Sequence, residues 1–233
     1  MEIAVGTSGY NYPEWKGSFY PDPFPASKMF AYYAERFRTV EINYTFYRMP
    51  TPELTAKWRA QAPEGFRYTL KAPKRITHQQ RLVDCKDSLA MFVDSARGLG
   101  PHLASLLFQL PPNLKCDVLR LERFVEILPT DVRCAFEFRH DSWHTDEVFG
   151  VLEAGGAALC IADMGDKTTP LVPTARHGYF RLRDAGYGPA DLDRWAKVVL
   201  DQSANWDQVF VYFKHENEGK GPEFARAFEE FLD

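Results

Sequence analysis

The chain has 233 residues, 45% of them hydrophobic and 26% charged, which is enough apolar surface for one large core and shows no bias toward disorder. A formal net charge of −4 argues against a surface that is a cationic footprint for nucleic acid or anionic lipid as a whole, so any anion site must be local. Four cysteines, Cys85, Cys116, Cys134 and Cys160, form no C-x-x-C pair, which argues against a zinc knuckle, a dithiol redox motif and a disulfide framework.

The opening residues run straight into an apolar alternation without the basic and apolar regions of a signal peptide, and no run is long enough to cross a bilayer. A cytoplasmic protein with no membrane partner is expected. Short β-rich runs then alternate with longer stretches of helical spacing, the pattern of a parallel α/β sheet. A strand over 3–6 precedes a helix over 26–37, and a strand over 39–43 precedes a helix over 53–61. Strands over 67–71, 105–109 and 134–138 lead to helices over 86–98, 117–128 and 145–153. After a strand over 158–163, the segment 164–178 carries Gly165, Pro170 and Pro173 and is expected to cross as a loop. Strands over 179–183 and 209–214 precede helices over 189–202 and 222–232. The set predicts an α/β fold, a single TIM-type (β/α)8 barrel over 1–233 with the crossover helix after the sixth strand replaced by a loop.

Side chains alternate along a strand, so Val40 and Ile42 face the helices while Glu41 and Asn43 face the barrel axis. The same parity turns Thr69, Lys71, Ser105, Gln109, Ala135, Glu137, Arg139 and Asp163 inward, followed by Tyr179, Arg181, Arg183, Tyr212 and Lys214. Polar groups thus gather at the carboxyl ends of the strands, where ligands bind in characterised barrel enzymes. The plainer alternative is that these groups form a structural ion network. Five cations, Lys71, Arg139, Arg181, Arg183 and Lys214, against three carboxylates, Glu41, Glu137 and Asp163, make a basic pocket in an acidic protein and point to a small anionic ligand. A divalent metal on Glu41, Glu137 and Asp163 with His140 or His215 is the lesser alternative, because the interleaved Lys and Arg oppose it. No cofactor is predicted.

Two late loops share a pattern: Arg183 leads to Gly186-Tyr187-Gly188-Pro189 and Lys214 to Gly219-Lys220-Gly221-Pro222. Such glycines either let backbone N–H groups approach a phosphate at a helix N-terminus or only shape a turn with Pro at the first helical position. Aromatics cluster after several strands, among them Tyr10, Tyr12, Trp15, Phe19, Tyr20, Tyr44, Phe46, Tyr47 and Trp143. Most are expected to pack the loops down, and a few to stack a sugar or base. A basic run of Lys71, Lys74, Arg75, His78 and Arg81 reads either as a solvated face or as a contact to phosphate.

The motifs G-T-S-G-Y at 6–10, W-K-G-S-F-Y-P at 15–21, V-E-I-N-Y-T-F-Y-R at 40–48 and K-A-P-K-R-I-T-H at 71–78 carry a family likeness. L-L-F-Q-L-P-P at 106–112, F-E-F-R-H-D-S-W at 136–143, I-A-D at 161–163 and Y-F-R-L-R at 179–183 extend it. Together they resemble the YecE-like family, domain of unknown function 72, over essentially the whole chain. The resemblance implies a TIM-type barrel of bacteria and archaea and supplies no established reaction. The family's likeness to endonuclease and sugar-isomerase barrels suggests nucleic-acid binding by fold analogy alone. Where the family usually has asparagines after the last strand, this chain reads Lys214-His215-Glu216-Asn217.

The expected function is that of an enzyme acting on a small phosphorylated or carboxylated substrate at the barrel mouth. Glu137, partnered by Glu41 or Asp163, would exchange protons. The expected substrate contacts are Ser8, Asn43, Lys71, His78, Gln109, Arg139, Trp143, Arg181, Arg183, Lys214, Gly219 and Gly221. The alternatives are a nucleic-acid binder or nuclease, and a non-catalytic sensor of the same anion. Substrate identity, oligomeric state and protein partners are not set by the sequence.

Overall fold

Strands that are apolar on one parity and small or polar on the other can bury the first against helices and turn the second into a closed interior. The computed structural model, which describes residues 1–164, 167–216 and 218–232, has that arrangement. Gly165 of the expected loop and Asn217 of the last-strand motif lie outside the described residues.

The strands are β1 (Glu2–Ser8), β2 (Thr39–Ile42), β3 (Arg67–Lys71), β4 (Leu103–Gln109), β5 (Cys134–Glu137), β6 (Ala158–Met164), β7 (Lys167–Thr168), β8 (His177–Leu182) and β9 (Gln208–Phe213). All but β7 are parallel, each pairing with the next, and β9 closes on β1 from Glu2↔Gln208 to Thr7↔Phe213. The two-residue β7 folds back antiparallel on the end of β6. No helix follows it before β8 among the described residues, as the Gly and Pro content of that segment predicts.

The helices are α1 (Ala26–Ala34), α2 (Tyr44–Tyr47), α3 (Pro52–Gln61), α4 (Lys86–Arg97), α5 (Val118–Val125), α6 (Asp146–Ala154), α7 (Pro189–Asp201) and α8 (Lys220–Glu229). All but the single-turn α2 follow a barrel strand at the expected place. Their starts have local causes. Thr51 accepts from Leu54 N at 3.3 Å ahead of Pro52, Asp117 from Arg120 N at 3.1 Å, and Thr145 from Val148 N at 3.4 Å. The features not foreseen include α2 itself and a π-helical turn at Arg75–Gln79 inside the basic run.

Val40, Ile42, Leu70, Leu106, Phe108, Phe136, Ile161, Phe180, Leu182 and Val211 point outward into one continuous core with the helices. Inside the barrel lies a second, smaller apolar layer of Ala4, Leu107, Ala135, Ala158, Cys160, Tyr179, Phe210 and Tyr212. The small side chains of β6 leave room for the bulky ones of β8, as native packing density requires: Cys160 pairs with Tyr179 and Ala162 with Arg181. The aromatic first loop packs as a local core, with Trp15, Phe19 and Tyr20 all buried.

Candidate functional site

Above the apolar layer the interior turns polar in a fixed order. Tyr212 forms a floor, its hydroxyl bonded to Thr39 Oγ1 at 2.7 Å and Thr69 Oγ1 at 2.9 Å. Next comes Arg181, whose side chain has no solvent exposure. Its guanidinium spans the barrel, pairing with Glu41 Oε1 at 2.7 Å on one side and with Glu137 Oε2 on the other. Both carboxylates are equally sealed. Strand register produces the meeting: Ser8 lies beside Glu41, Gln109 beside Glu137, and Arg181 beside Ala162 and Tyr212.

Glu41 is saturated with donors. Ser8 Oγ and the Arg181 guanidinium reach Oε1, Tyr179 OH donates to Oε2 at 2.6 Å, and Asn43 Nδ2 donates to Ser8 Oγ at 2.8 Å. Glu137 is held by Arg181, by Arg139 through Nε, and by Arg183 Nη1 at 3.7 Å. Burial alone would raise both carboxyls, but the guanidinium charges outweigh it, pulling Glu41 below its usual range and Glu137 to about 2. The expectation that Glu137 and Glu41 work as acid and base therefore meets an obstacle: both are locked as ionised acceptors, and neither holds a proton to give near neutrality.

The cations carry the opposite signature. Burial first, and the Arg181 charge second, push the Lys71 ammonium down to about 7 and the Arg183 guanidinium to about 10. Burial and neighbouring cations also lower Lys214 and His78. Lys71 Nζ donates to Gln109 Oε1 at 2.8 Å and lies 4.3 Å from the centre of the Phe46 ring, whose far neighbour is His78 at 4.9 Å. Lys214 is at the rim, 3.7 Å from Glu216, beside a cleft of about 330 Å³ lined by Arg183, Ala185, Lys214, His215, Glu216 and Lys220. A second cleft of about 240 Å³ opens next to Asn43, between Tyr10, Tyr12, Tyr44 and Trp58. Among the described residues, no three His, Cys, Asp or Glu side chains gather as a metal would require.

Ser8, Glu41, Asn43, Lys71, Gln109, Glu137, Arg139, Arg181 and Arg183 thus share one cluster, with Lys214 and His78 at its edge. Four expected residues do not join it. Asp163 faces outward: its strand neighbour is Leu182 of the outer core, and its Oδ2 accepts from Tyr187 OH at 2.9 Å and Trp195 Nε1 at 3.1 Å. Trp143 is fully buried, stacked 4.8 Å from Phe138, with its N–H given to Leu114 O at 2.7 Å. Gly219 and Gly221 are packed by their own chain, since a Cβ on Gly219 would strike Ser18 Oγ and one on Gly221 would lie 2.9 Å from His215 O. In the matching earlier loop the amides are already taken, Gly186 N by Asp184 Oδ1 at 2.8 Å and Gly188 N by Asp191 Oδ2 at 3.0 Å. That loop is a self-capped turn. Sequence reasoning missed Tyr179 and Phe46 as site residues; the parity that selects Arg181 also selects Tyr179.

Known proteins resemble this chain over nearly its whole length. The UPF0759 protein YunF of Bacillus subtilis is 25% identical in an alignment covering 99% of this chain and 95% of its own. The UPF0759 protein YecE of Escherichia coli is 34% identical over 46% of this chain and 40% of its own length. The crystal structure of a DUF72 family protein from Thermotoga maritima superposes with a TM-score of 0.86 at 26% identity, covering 100% of this chain and 99% of that one. The family described as protein of unknown function DUF72 matches residues 4–233, and with that match across the barrel and its polar mouth the chain belongs to the DUF72 family.

Proposed function

We propose that the chain is an enzyme of small phosphorylated or carboxylated substrates, binding the anionic group at the barrel mouth through Arg139, Arg183 and Lys214. The observation that carries this is the charge count at the inward strand ends: five cations, Lys71, Arg139, Arg181, Arg183 and Lys214, around two carboxylates already committed to guanidinium and hydroxyl donors. Arg183 and Lys214, whose proton affinities burial and neighbouring cations depress, are stabilised by an arriving anion. Glu41 and Glu137 serve as fixed counter-ions that aim the arginines, a preorganised positive field of the kind that stabilises developing negative charge. A thermal-shift series with sulfate, phosphate and small carboxylates tests this. A ligand at a hundred times its dissociation constant adds about 2.7 kcal/mol, or roughly 5–10 °C for a chain of this size. Arg183→Gln is expected to diminish the shift. No shift with any anion, or equal shifts in variant and parent, would overturn the proposal. Anion binding without turnover of any substrate class would favour the sensor alternative.

Nucleic-acid binding is a second reading, supported by Tyr47 and Tyr44 at 72% and 46% exposure after β2 and by exposed Lys74 and Arg75 after β3. It predicts oligonucleotide affinity that falls steeply with salt. No binding at low salt would dispose of it.

A further inference from the structure

Gln109 Oε1 is the meeting point of three cationic nitrogens. Lys71 Nζ lies 2.8 Å from it, Arg139 Nη2 3.5 Å and Arg181 Nη1 3.5 Å. Three positive charges around one neutral oxygen repel strongly, and two of them cannot yield, because a guanidinium does not deprotonate in proteins. The amine is the group that can. Burial and the charges of Arg181 on β8 and Lys214 beyond β9 disfavour the ammonium and outweigh Glu41 and Glu137, which favour it. Glu41 on β2 and Glu137 on β5 are tied to Arg181 and Arg139, and no carboxylate of the described residues comes within ion-pair distance of Lys71. The centre of the Phe46 ring of α2 lies 4.3 Å from Nζ. Lys71 keeps 8% exposure at the mouth.

We propose that Lys71 is a nucleophilic amine that forms an imine with a small anionic aldehyde or ketone held by the neighbouring arginines. The inference rests on the anion site described above and deepens it. In the first step the lone pair of the neutral Nζ bonds to the carbonyl carbon, and the carbon–oxygen π pair becomes an alkoxide facing the guanidinium groups. That oxygen takes the proton released by nitrogen. In the second step the proton still on nitrogen passes through solvent to that hydroxyl, which leaves as water while the nitrogen lone pair forms the C=N bond. Amine plus carbonyl gives imine plus water, with nothing oxidised or reduced. The fall of the Lys71 ammonium to about 7 supplies the neutral amine that the step needs.

The test is reductive trapping on the full chain. Glyoxylate with cyanoborohydride is added at pH 7, the same is done with acetaldehyde, and the modified lysines are mapped by peptide mass spectrometry. Lys71 is expected to be alkylated by glyoxylate at least about ten-fold faster than any other lysine, since an ordinary lysine near 10.4 is almost wholly protonated at that pH. Its rate should reach half its maximum near pH 7, and Lys71→Arg should remove that adduct alone. Even labelling of all lysines, or no adduct at Lys71, overturns the proposal without any variant having to fold. The anion reading fails separately, if Lys71 is labelled equally fast by glyoxylate and acetaldehyde and sulfate does not slow it.

Discussion

Replacing Arg181 by methionine keeps much of its volume and removes the charge that joins Glu41 to Glu137. Taking one partner from a buried ion pair costs about 3–5 kcal/mol, because the other charge stays buried without compensation. For a domain of this size that is a fall in Tm of roughly 6–20 °C. The loss is not shared equally. Glu137 retains Arg139 and Arg183, whereas Glu41 keeps the hydroxyls of Ser8 and Tyr179 and the more distant charge of Lys71. With the guanidinium gone, burial dominates at Glu41, and its carboxyl moves above the value it has in the unfolded chain. The folded variant then holds a proton that the unfolded chain has released. Its deficit should be largest at pH 8 and shrink as pH falls toward about 4.3, the unfolded glutamate value. A second change, Glu41→Gln, should restore more stability than Glu137→Gln. Denaturant titrations of the single and double variants at pH 5.5 and 8 measure all of this. A loss below about 1 kcal/mol, the same loss at both pH values, or better rescue through Glu137 would refute the assignment of Glu41 as the dependent partner.

Asp163→Ala strips Tyr187 and Trp195 of a shared acceptor and should destabilise by about 1–3 kcal/mol in denaturant unfolding, while any anion-induced thermal shift persists; loss of that shift would return Asp163 to the site. Because Lys71 titrates near 7 when folded and near 10.4 when unfolded, the unfolded chain binds the extra proton between those values and this group makes stability rise with pH across them. Lys71→Met should flatten that rise, and an unchanged slope in pH-dependent unfolding would contradict the depressed value. Gly219 sits at φ +72° with Ser18 against the position of a Cβ, so Gly219→Ala should lower stability by at least about 1 kcal/mol, read from the unfolding midpoint. No change would mean the loop relaxes freely.

The sequence made the barrel and most of the mouth legible because alternation has a sharp phase wherever one parity is polar. T-V-E-I and Y-F-R-L-R each state unambiguously which side chains point inward. In β6 the run A-L-C-I-A-D is apolar or small on both parities until its last residue, so it carries no phase. Pairing with β8, where Asp163 adjoins Leu182, settles that Asp163 faces out. Trp143 was misplaced for a different reason: a loop tryptophan is equally suited to stacking a ligand or filling a core, and its partners Phe138 and Leu114 come from separate segments. The choice left open at Gly186–Gly188, cradle or turn, could have been narrowed from the sequence, since Asp184 and Asp191 flank these amides at the spacing of local caps.

Where a helix is missing between β7 and β8, the wall of the barrel is stitched by two hydroxyls. Thr174 Oγ1 accepts from Leu159 N and donates to Ala157 O, both at 2.8 Å, and Thr169 Oγ1 accepts from Ala162 N at 3.2 Å. Amide deuterium uptake at Leu159 and Ala162 should therefore follow the lifting of this seam and outpace that of amides paired strand to strand. Two threonines do there what an amphipathic helix does elsewhere around the ring.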